Sequence, residues 1–374
     1  MHFLGGITPE QFLSEYWEKK PLLIRNAFPN AINLSTFEEF KDLAFDEDFE
    51  TRIIYNDDKR YSVHEGPLEE NAFDSGKWTF ACHNLNTLSS DFFELEKCVD
   101  FIPKWLFDDV MGTYSNKDST IGAHIDKYNV FILQGAGKRV WKLQENPDHT
   151  YDPEKELKIL KNFNPNIEWI LEPGDMVYIP SSVAHEGTSI VDSLSYSIGF
   201  KSIEDQIVLD NFLTDCLENI ETEDYLKLED LKVSTDKNSI PNDLIPTVHK
   251  RISNYIGDES FFKSWFISFL SKGKEEVSDG ETFIEEEILS LAKTSSIYKD
   301  QLTRFASFDD EEDKILSINK SLYRIEFDSY IEVESWFSGS VDRPIVIEFK
   351  KLDNDQWPLL IDLFKRGIFY FEQE

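Results

Sequence analysis

Between residues 50 and 200 the chain is a string of short apolar segments broken by turn signals. That texture constrains the fold more than any other feature. The segments are "TRIIYN", "RYSVHEG", "WTFACHNL", "NVFILQGAG", "KRVWKL", "IEWILEPGD", "MVYIPSSVAHEG" and "LSYSIGF". Turn signals recur about every 8–15 residues, which suits a β-sandwich or barrel. "EPGD" is a tight turn, in which Pro173 presets φ and Gly174 supplies a positive φ.

Helical patterns flank this stretch. "TPEQFLSEYWEKKPLLIRNAF" opens with Thr8 as N-cap and Pro9 at the first helical position. Its spacing puts Phe12, Leu13, Tyr16 and Trp17 on one face, and Pro21 stops the helix before a strand at "LLIR". "LSTFEEFKDLAF" is a second amphipathic helix with Phe40 and Leu43 facing inward. After residue 205, "QIVLDNFLTDCLENI" carries a wide apolar stripe. "IPTVHKRISNYIGDESFFKSWFISFLSK" holds two more helices that part near Gly257-Asp258. Residues 221–247 read as a long polar loop and 271–281 as a linker. The rest reads as a helix ("TFIEEEILSLAK"), a hairpin turning at Asn319-Lys320, a strand ("PIVIEF"), a helix ("QWPLLIDLFKRG") and a last apolar run ("IFYFE"). "DDEED" at 309–313 reads as solvated loop.

The chain's 374 residues allow two or three domains. Its net charge of −34, from 38 basic and 72 acidic residues, is spread over both halves. No basic face for DNA is evident, and a basic protein is the better macromolecular partner. Cys82, Cys98 and Cys216 have no CxxC spacing, so neither a disulfide framework nor a zinc site is expected. The first residues lack a signal-peptide pattern and no run is apolar enough to span a bilayer, so a cytoplasmic protein with no membrane partner is the expectation.

The chemistry lies in "GAHIDKYNVFILQGAGKRVWKL". His124 and Asp126 alternate at period two, which on an extended segment points both side chains to one face. His185, in "YIPSSVAHEG", is the natural third ligand. Two imidazoles and one carboxylate leave coordination positions open and suit Fe(II) in oxygen chemistry. A lone His-x-Asp is weak evidence. The strand after it and a second histidine beside proline and glycine turns give it weight. His64 and His83 lack an acidic partner at strand spacing and read as ordinary polar residues. If two strands meet at Gly135-Ala136-Gly137, Arg139 reaches back into the barrel. A buried arginine is costly unless an anion meets it, and a dicarboxylate would. Without the His-x-Asp, Arg139 would read as an exposed strand-end cation like Lys138.

These segments, with "LEPGDMVYIPSSVAHEGTSIVDSLSYSIGF", resemble a JmjC-type 2-oxoglutarate oxygenase of the cupin superfamily, and more narrowly the bacterial ribosomal oxygenases. "FLSEYWEKKPLLIRNAF", "YSVHEGPLEE" and "LFKRGIFYFEQE" are also similar, so the likeness runs over essentially the whole chain. The resemblance implies an α+β chain: a double-stranded β-helix (cupin/JmjC) catalytic domain at 1–205, a helical segment at 206–272, whose wide apolar stripes are expected to build a dimer, and a winged-helix-like domain at 273–374. It implies hydroxylation of an arginine on a large-subunit ribosomal protein, the sixteenth. Fe(II), 2-oxoglutarate and O₂ would be needed, and the substrate partner would be that basic protein; a second copy of the chain, through 206–272, is the other expected partner. His124, Asp126 and His185 match the iron ligands, and Arg139 matches the cation for the far carboxylate of 2-oxoglutarate. "SLSYSIGF" has no arginine or lysine after the distal histidine, which supports the JmjC type. Thr113, Ser115, Ser195 and Ser197 are candidates to complete that pocket, and Asp118 is a candidate substrate contact. "SNKDSTIGAHID" departs from the proline- and glycine-rich loop of related enzymes, which leaves the substrate open. Another protein residue, an RNA, or a non-catalytic cupin-based binding module are the competing readings.

Overall fold

The structure, a computed structural model, describes residues 3–28, 34–57, 60–218, 238–242, 244–273, 282–311, 313–337 and 340–372. Its contacts divide the chain into two units. One holds Met1–Ser202, Val277–Thr303 and Ser329–Glu374, and the other Ile203–Glu276 and Arg304–Asp328. Among the described residues no helix is long and apolar enough to cross a membrane.

The first unit opens with α1 (Pro9–Glu15), where Thr8 and Gln11 form a reciprocal capping box behind Pro9. Phe12 is fully buried and Tyr16 and Trp17 pack on the same core, but Leu13 turns outward and is exposed. A helix this short buries a narrow stripe, and Leu13 lies about 100° round from Phe12. β1 (Leu22–Ile24) follows, and α2 (Phe37–Asp42) buries Phe40 as expected.

Eleven antiparallel strands then make two sheets. β2 (Thr51–Asn56), β3 (Tyr61–Glu65), β4 (Trp78–Cys82), β5 (Phe107–Ser115), β6 (Tyr128–Ala136), β9 (Met176–Ile179) and β11 (Ser193–Lys201) join β1 in the order β1-β9-β6-β11-β5-β4-β2-β3. β7 (Arg139–Gln144), β8 (Ile167–Leu171) and β10 (Ala184–Ser189) form the second sheet, in the order β10-β7-β8. The side-chain alternation of the large sheet separates two cores. Phe80, Val110, Phe131, Leu133, Tyr196 and Ile198 pack against α1 and α2 on one face. Val130, Ile132, Val177 and Ile179 point the other way, toward Trp141, Leu143 and Leu171 of the small sheet. That second space, between the sheets, receives the chemistry.

β5 and α3 (Ser90–Lys97) are not among the elements expected from the sequence pattern. β5 reads "FDDVMGTYS", and two aspartates and a glycine hide its strand character. Later in the unit come α7 (Glu285–Leu291), β12 (Ile297–Lys299), α8 (Phe327–Trp336), α9 (Gln356–Lys365) and β16 (Phe369–Phe371), with β12 and β16 paired. "PIVIEF" is not a strand. Only Ile345 makes a bridge, to Ile297, and Val346 is exposed. Pro344 offers no N–H, so the bridge to Ile297 is not extended past it.

The second unit packs α4 (Asp205–Glu218), α5 (Leu244–Ile256) and α6 (Glu259–Leu270) with a meander of β13 (Phe305–Asp310), β14 (Asp313–Ile318) and β15 (Ser321–Glu326). Phe212, Cys216 and Trp265 form its helical core, and the Trp265 indole donates to Asp215 at 2.6 Å. Asp258 caps α6 at the expected break. Asn319 and Lys320 both have positive φ, as a two-residue hairpin turn requires. Most of the expected loop at 221–247 and linker at 271–281 lies outside the described residues. Residues 244–247 are helical, because Pro246 sits in the first turn of α5, where no N–H is needed. "DDEED" is the tip of a hairpin and not free loop. Asp310 pairs with Asp313 across it, and Lys314 and Arg324 reach Asp309, Asp310 and Asp313 at 2.5–2.7 Å.

Candidate metal centre

His124 and Asp126 stand in the segment that leads into β6, and His185 stands near the start of β10. The expected extended strand across 124–126 is reduced to one residue. His124 alone bridges to His185, with N–H to carbonyl bonds of 3.0 and 2.9 Å in both directions. Those two bonds lock the backbones that carry the imidazoles. Gly122, at φ 83°, makes the turn, and a Cβ there would lie 2.8 Å from Ile159 and from the Tyr61 hydroxyl.

The three side chains converge as expected. One ligand atom from each lies within 4.8 Å of the others. Both Nε2 atoms sit 3.4 Å from an Asp126 oxygen. The Nδ1 atoms face backbone carbonyls, Gly122 O at 2.9 Å for His124 and Val183 O at 3.2 Å for His185. A carbonyl only accepts, so each Nδ1 carries the proton and each Nε2 lone pair is free for a metal. Burial, then the neighbouring His185, lowers the His124 pKa. For His185 burial also acts downward, but the hydrogen bond and charge of Asp126 outweigh it and the net shift is upward. Burial would raise the Asp126 carboxyl, yet the two histidines hold it well below the usual carboxylate range. An anionic carboxylate between two imidazoles is a donor set that a divalent cation fits.

Arg139, at the start of β7, is buried between the sheets. Its Nε donates to Ser193 Oγ at 2.8 Å, and its Nη2 donates to Ser115 Oγ at 2.8 Å and Thr113 O at 2.9 Å. All of these acceptors are neutral. Burial pushes the guanidinium down to about 9, so at neutral pH its charge is held without a carboxylate beside it. Thr79 and Ser189 extend the hydroxyl cluster to Ser115 and Ser193. Thr113, Ser115, Ser195 and Ser197 all lie on β5 and β11. Thr113 contributes its carbonyl to Arg139 and Ser115 its hydroxyl, while the buried Ser195 hydroxyl has no partner among the described residues. Asp118 is exposed in the turn before the His-x-Asp, at φ 61°, with its N–H on Ser189 O.

Other groups here are not evident from sequence spacing. His83 is not without an acid, since its Nδ1 meets Asp109 at 2.8 Å. Burial, then the charges of Asp108, Asp109, Asp126 and Glu50 in turn, raises the hydroxyl of the half-exposed Tyr128. The paired Asp108-Asp109 inside a strand was the available signal. Trp141, inside β7, packs 5.9 Å from the His185 ring.

Comparison with known proteins follows the same lines. A family model described as the JmjC domain matches residues 94–207. A probable ribosomal oxygenase of Haemophilus influenzae is 35% identical over 202 residues, 52% of this chain and 50% of that protein. The ribosomal protein uL16 3-hydroxylase of Escherichia coli is 27% identical over 272 residues, 71% of this chain and 72% of that protein. The chain thus spans about half the length of the first of these relatives and 72% of the second. The structure of YcfD, a ribosomal oxygenase from Escherichia coli, in complex with cobalt and 2-oxoglutarate superposes with a TM-score of 0.80. It is 22% identical and covers 98% of this chain and 99% of that one.

Proposed function

We propose that this chain is a JmjC-domain ribosomal oxygenase, an Fe(II)- and 2-oxoglutarate-dependent hydroxylase acting on an arginine of the large-subunit ribosomal protein uL16. One observation carries the reading. A preformed His-Asp-His cluster and a buried arginine with only neutral acceptors lie between the same two sheets. The cluster suits a ferrous ion and the arginine suits a carboxylate. When bound, the ion and 2-oxoglutarate supply oxygen activation coupled to oxidative decarboxylation, leaving succinate, CO₂ and a hydroxylated side chain.

The chain's residues position and shield that chemistry. His124, Asp126 and His185 hold the ion, and the carbonyls of Gly122 and Val183 fix their rings. Arg139 offers its charge to the far carboxylate, while Ser193 on its Nε and Ser115 and the Thr113 carbonyl on its Nη2 hold the guanidinium in place. Thr113, Ser115 and Ser195 border that anchor. Asp118 and the carboxylates whose charge reaches Tyr128 favour a cationic substrate residue, as the net charge of −34 favours a basic protein.

The barrel fits the double-stranded β-helix of cupins, with a catalytic domain at 1–205. Residues 206–272 form a dimerisation segment in this reading, supported by Leu209, Leu217, Ile245 and Ile252, each more than half exposed on helices. Residues 273–374 form a winged-helix-like docking domain without a DNA role. The test is mass spectrometry of ribosomal proteins from cells with and without this gene. One added oxygen on an arginine of uL16, present only with the gene, is expected. An unmodified uL16 in both strains sinks the substrate assignment.

A further inference from the structure

β7 and β10 face each other in register, and their inward residues form three successive rungs. Arg139 pairs with Ser189, Trp141 with Gly187, and Leu143 with His185. The metal-binding end and the arginine end of the pocket are therefore two rungs apart, and Trp141 with Gly187 is the rung between them. A dicarboxylate that reaches from the ion to Arg139 must pass this rung. Trp141 is buried, and its Nε1–H has no partner among the described residues. The benzo edge of the indole lies where a side chain on Gly187 would be: Cη2, Cζ2 and Cζ3 fall 2.8–2.9 Å from an ideal Cβ there. On the facing sheet, Ser195 supplies a second buried group without a partner, in register with Thr113 and Gln134.

An orphaned indole donor and an orphaned hydroxyl in one interior call for a polar ligand, because a buried donor is seldom left unmade. We propose that Trp141 is a specificity-determining residue of the co-substrate channel. Its N–H donates to an oxygen of the dicarboxylate between the metal and Arg139, and its ring, seated over Gly187, sets the width of that passage. This rests on the reading of the pocket given under the proposed function.

The test is anaerobic calorimetry with Mn(II)-loaded protein and 2-oxoglutarate, on wild type, Trp141→Phe and Gly187→Ala, with Mn(II) affinity and thermal melting measured alongside. Trp141→Phe keeps an aromatic ring but loses the donor. It should weaken 2-oxoglutarate about tenfold, as the loss of one hydrogen bond to a charged acceptor does, and leave Mn(II) affinity unchanged. Gly187→Ala pushes the ring into the passage and should weaken 2-oxoglutarate at least as much, whether or not Trp141→Phe folds. Wild-type affinity in Trp141→Phe overturns the donor role, and wild-type affinity in Gly187→Ala overturns the width role. If wild type itself does not bind 2-oxoglutarate, the functional reading fails first, which separates the two failures.

Discussion

At the scale of single residues, the site is built from side chains whose protonation the backbone dictates. With both Nδ1 protons directed at carbonyls, His124→Ala removes one of three ligand atoms and cannot be replaced by a ring flip. Fe(II) titration under nitrogen should show binding lost in this variant, and 2-oxoglutarate turnover lost with it. Arg139→Ala should leave the ion's ligands in place while removing the buried cation that Ser115 and Ser193 hold. Its apparent 2-oxoglutarate requirement should rise by at least about tenfold, since charge-assisted bonds to carboxylate contribute about 1.5–3 kcal/mol each. An unchanged requirement places the arginine outside the pocket. The pH dependence of metal loading follows from the upward shift of His185. A raised pKa means that the metal-free site holds a proton that the ion must displace. Loading should therefore strengthen as pH rises toward that pKa and level off above it. Calorimetry in buffers of different ionisation enthalpy would report the released proton.

At the scale of elements, turns decide where the chemistry points. Gly137 follows β6 at φ 65°, and a Cβ there would collide with the carbonyl of Asp192. Gly137→Ala should cost about 1–3 kcal/mol in thermal or denaturant unfolding and should weaken 2-oxoglutarate by displacing Arg139. A variant as stable as wild type would mean that the turn relaxes. This turn was legible beforehand, because glycine spacing between two apolar runs is a local signal. So were the capped first helix, the "EPGD" turn and the Asn319-Lys320 hairpin, each written in adjacent letters. His124, Asp126 and His185 were also legible, through spacing and a family resemblance together. The misses have a common physical cause. β5 is a strand because β4 and β11 flank it, and "PIVIEF" is not one because, among the described residues, only Ile345 finds a bridging partner, Ile297. His83 finds Asp109 only across two strands. Such facts depend on partners distant in sequence, which a window of residues does not contain.

At the scale of the whole molecule, charge and apolar exposure pull in opposite directions. A net charge of −34 keeps copies apart, while α4 and α5 leave Leu209, Leu217, Ile245 and Ile252 uncovered. If a second copy covers them, light scattering at micromolar concentration gives a dimer, and Leu209→Glu with Leu217→Glu gives a monomer. A monomeric wild type removes the dimer. The path of the chain between its two units has a further consequence. The backbone changes unit after residues 202, 276, 303 and 328. No single cut can then free one unit from the other with both intact. Removing everything after residue 272 would strip the unit that bears the metal centre of α7, β12, α9 and β16. A protease nick in this chain is thus a scar, after which the pieces should still elute together.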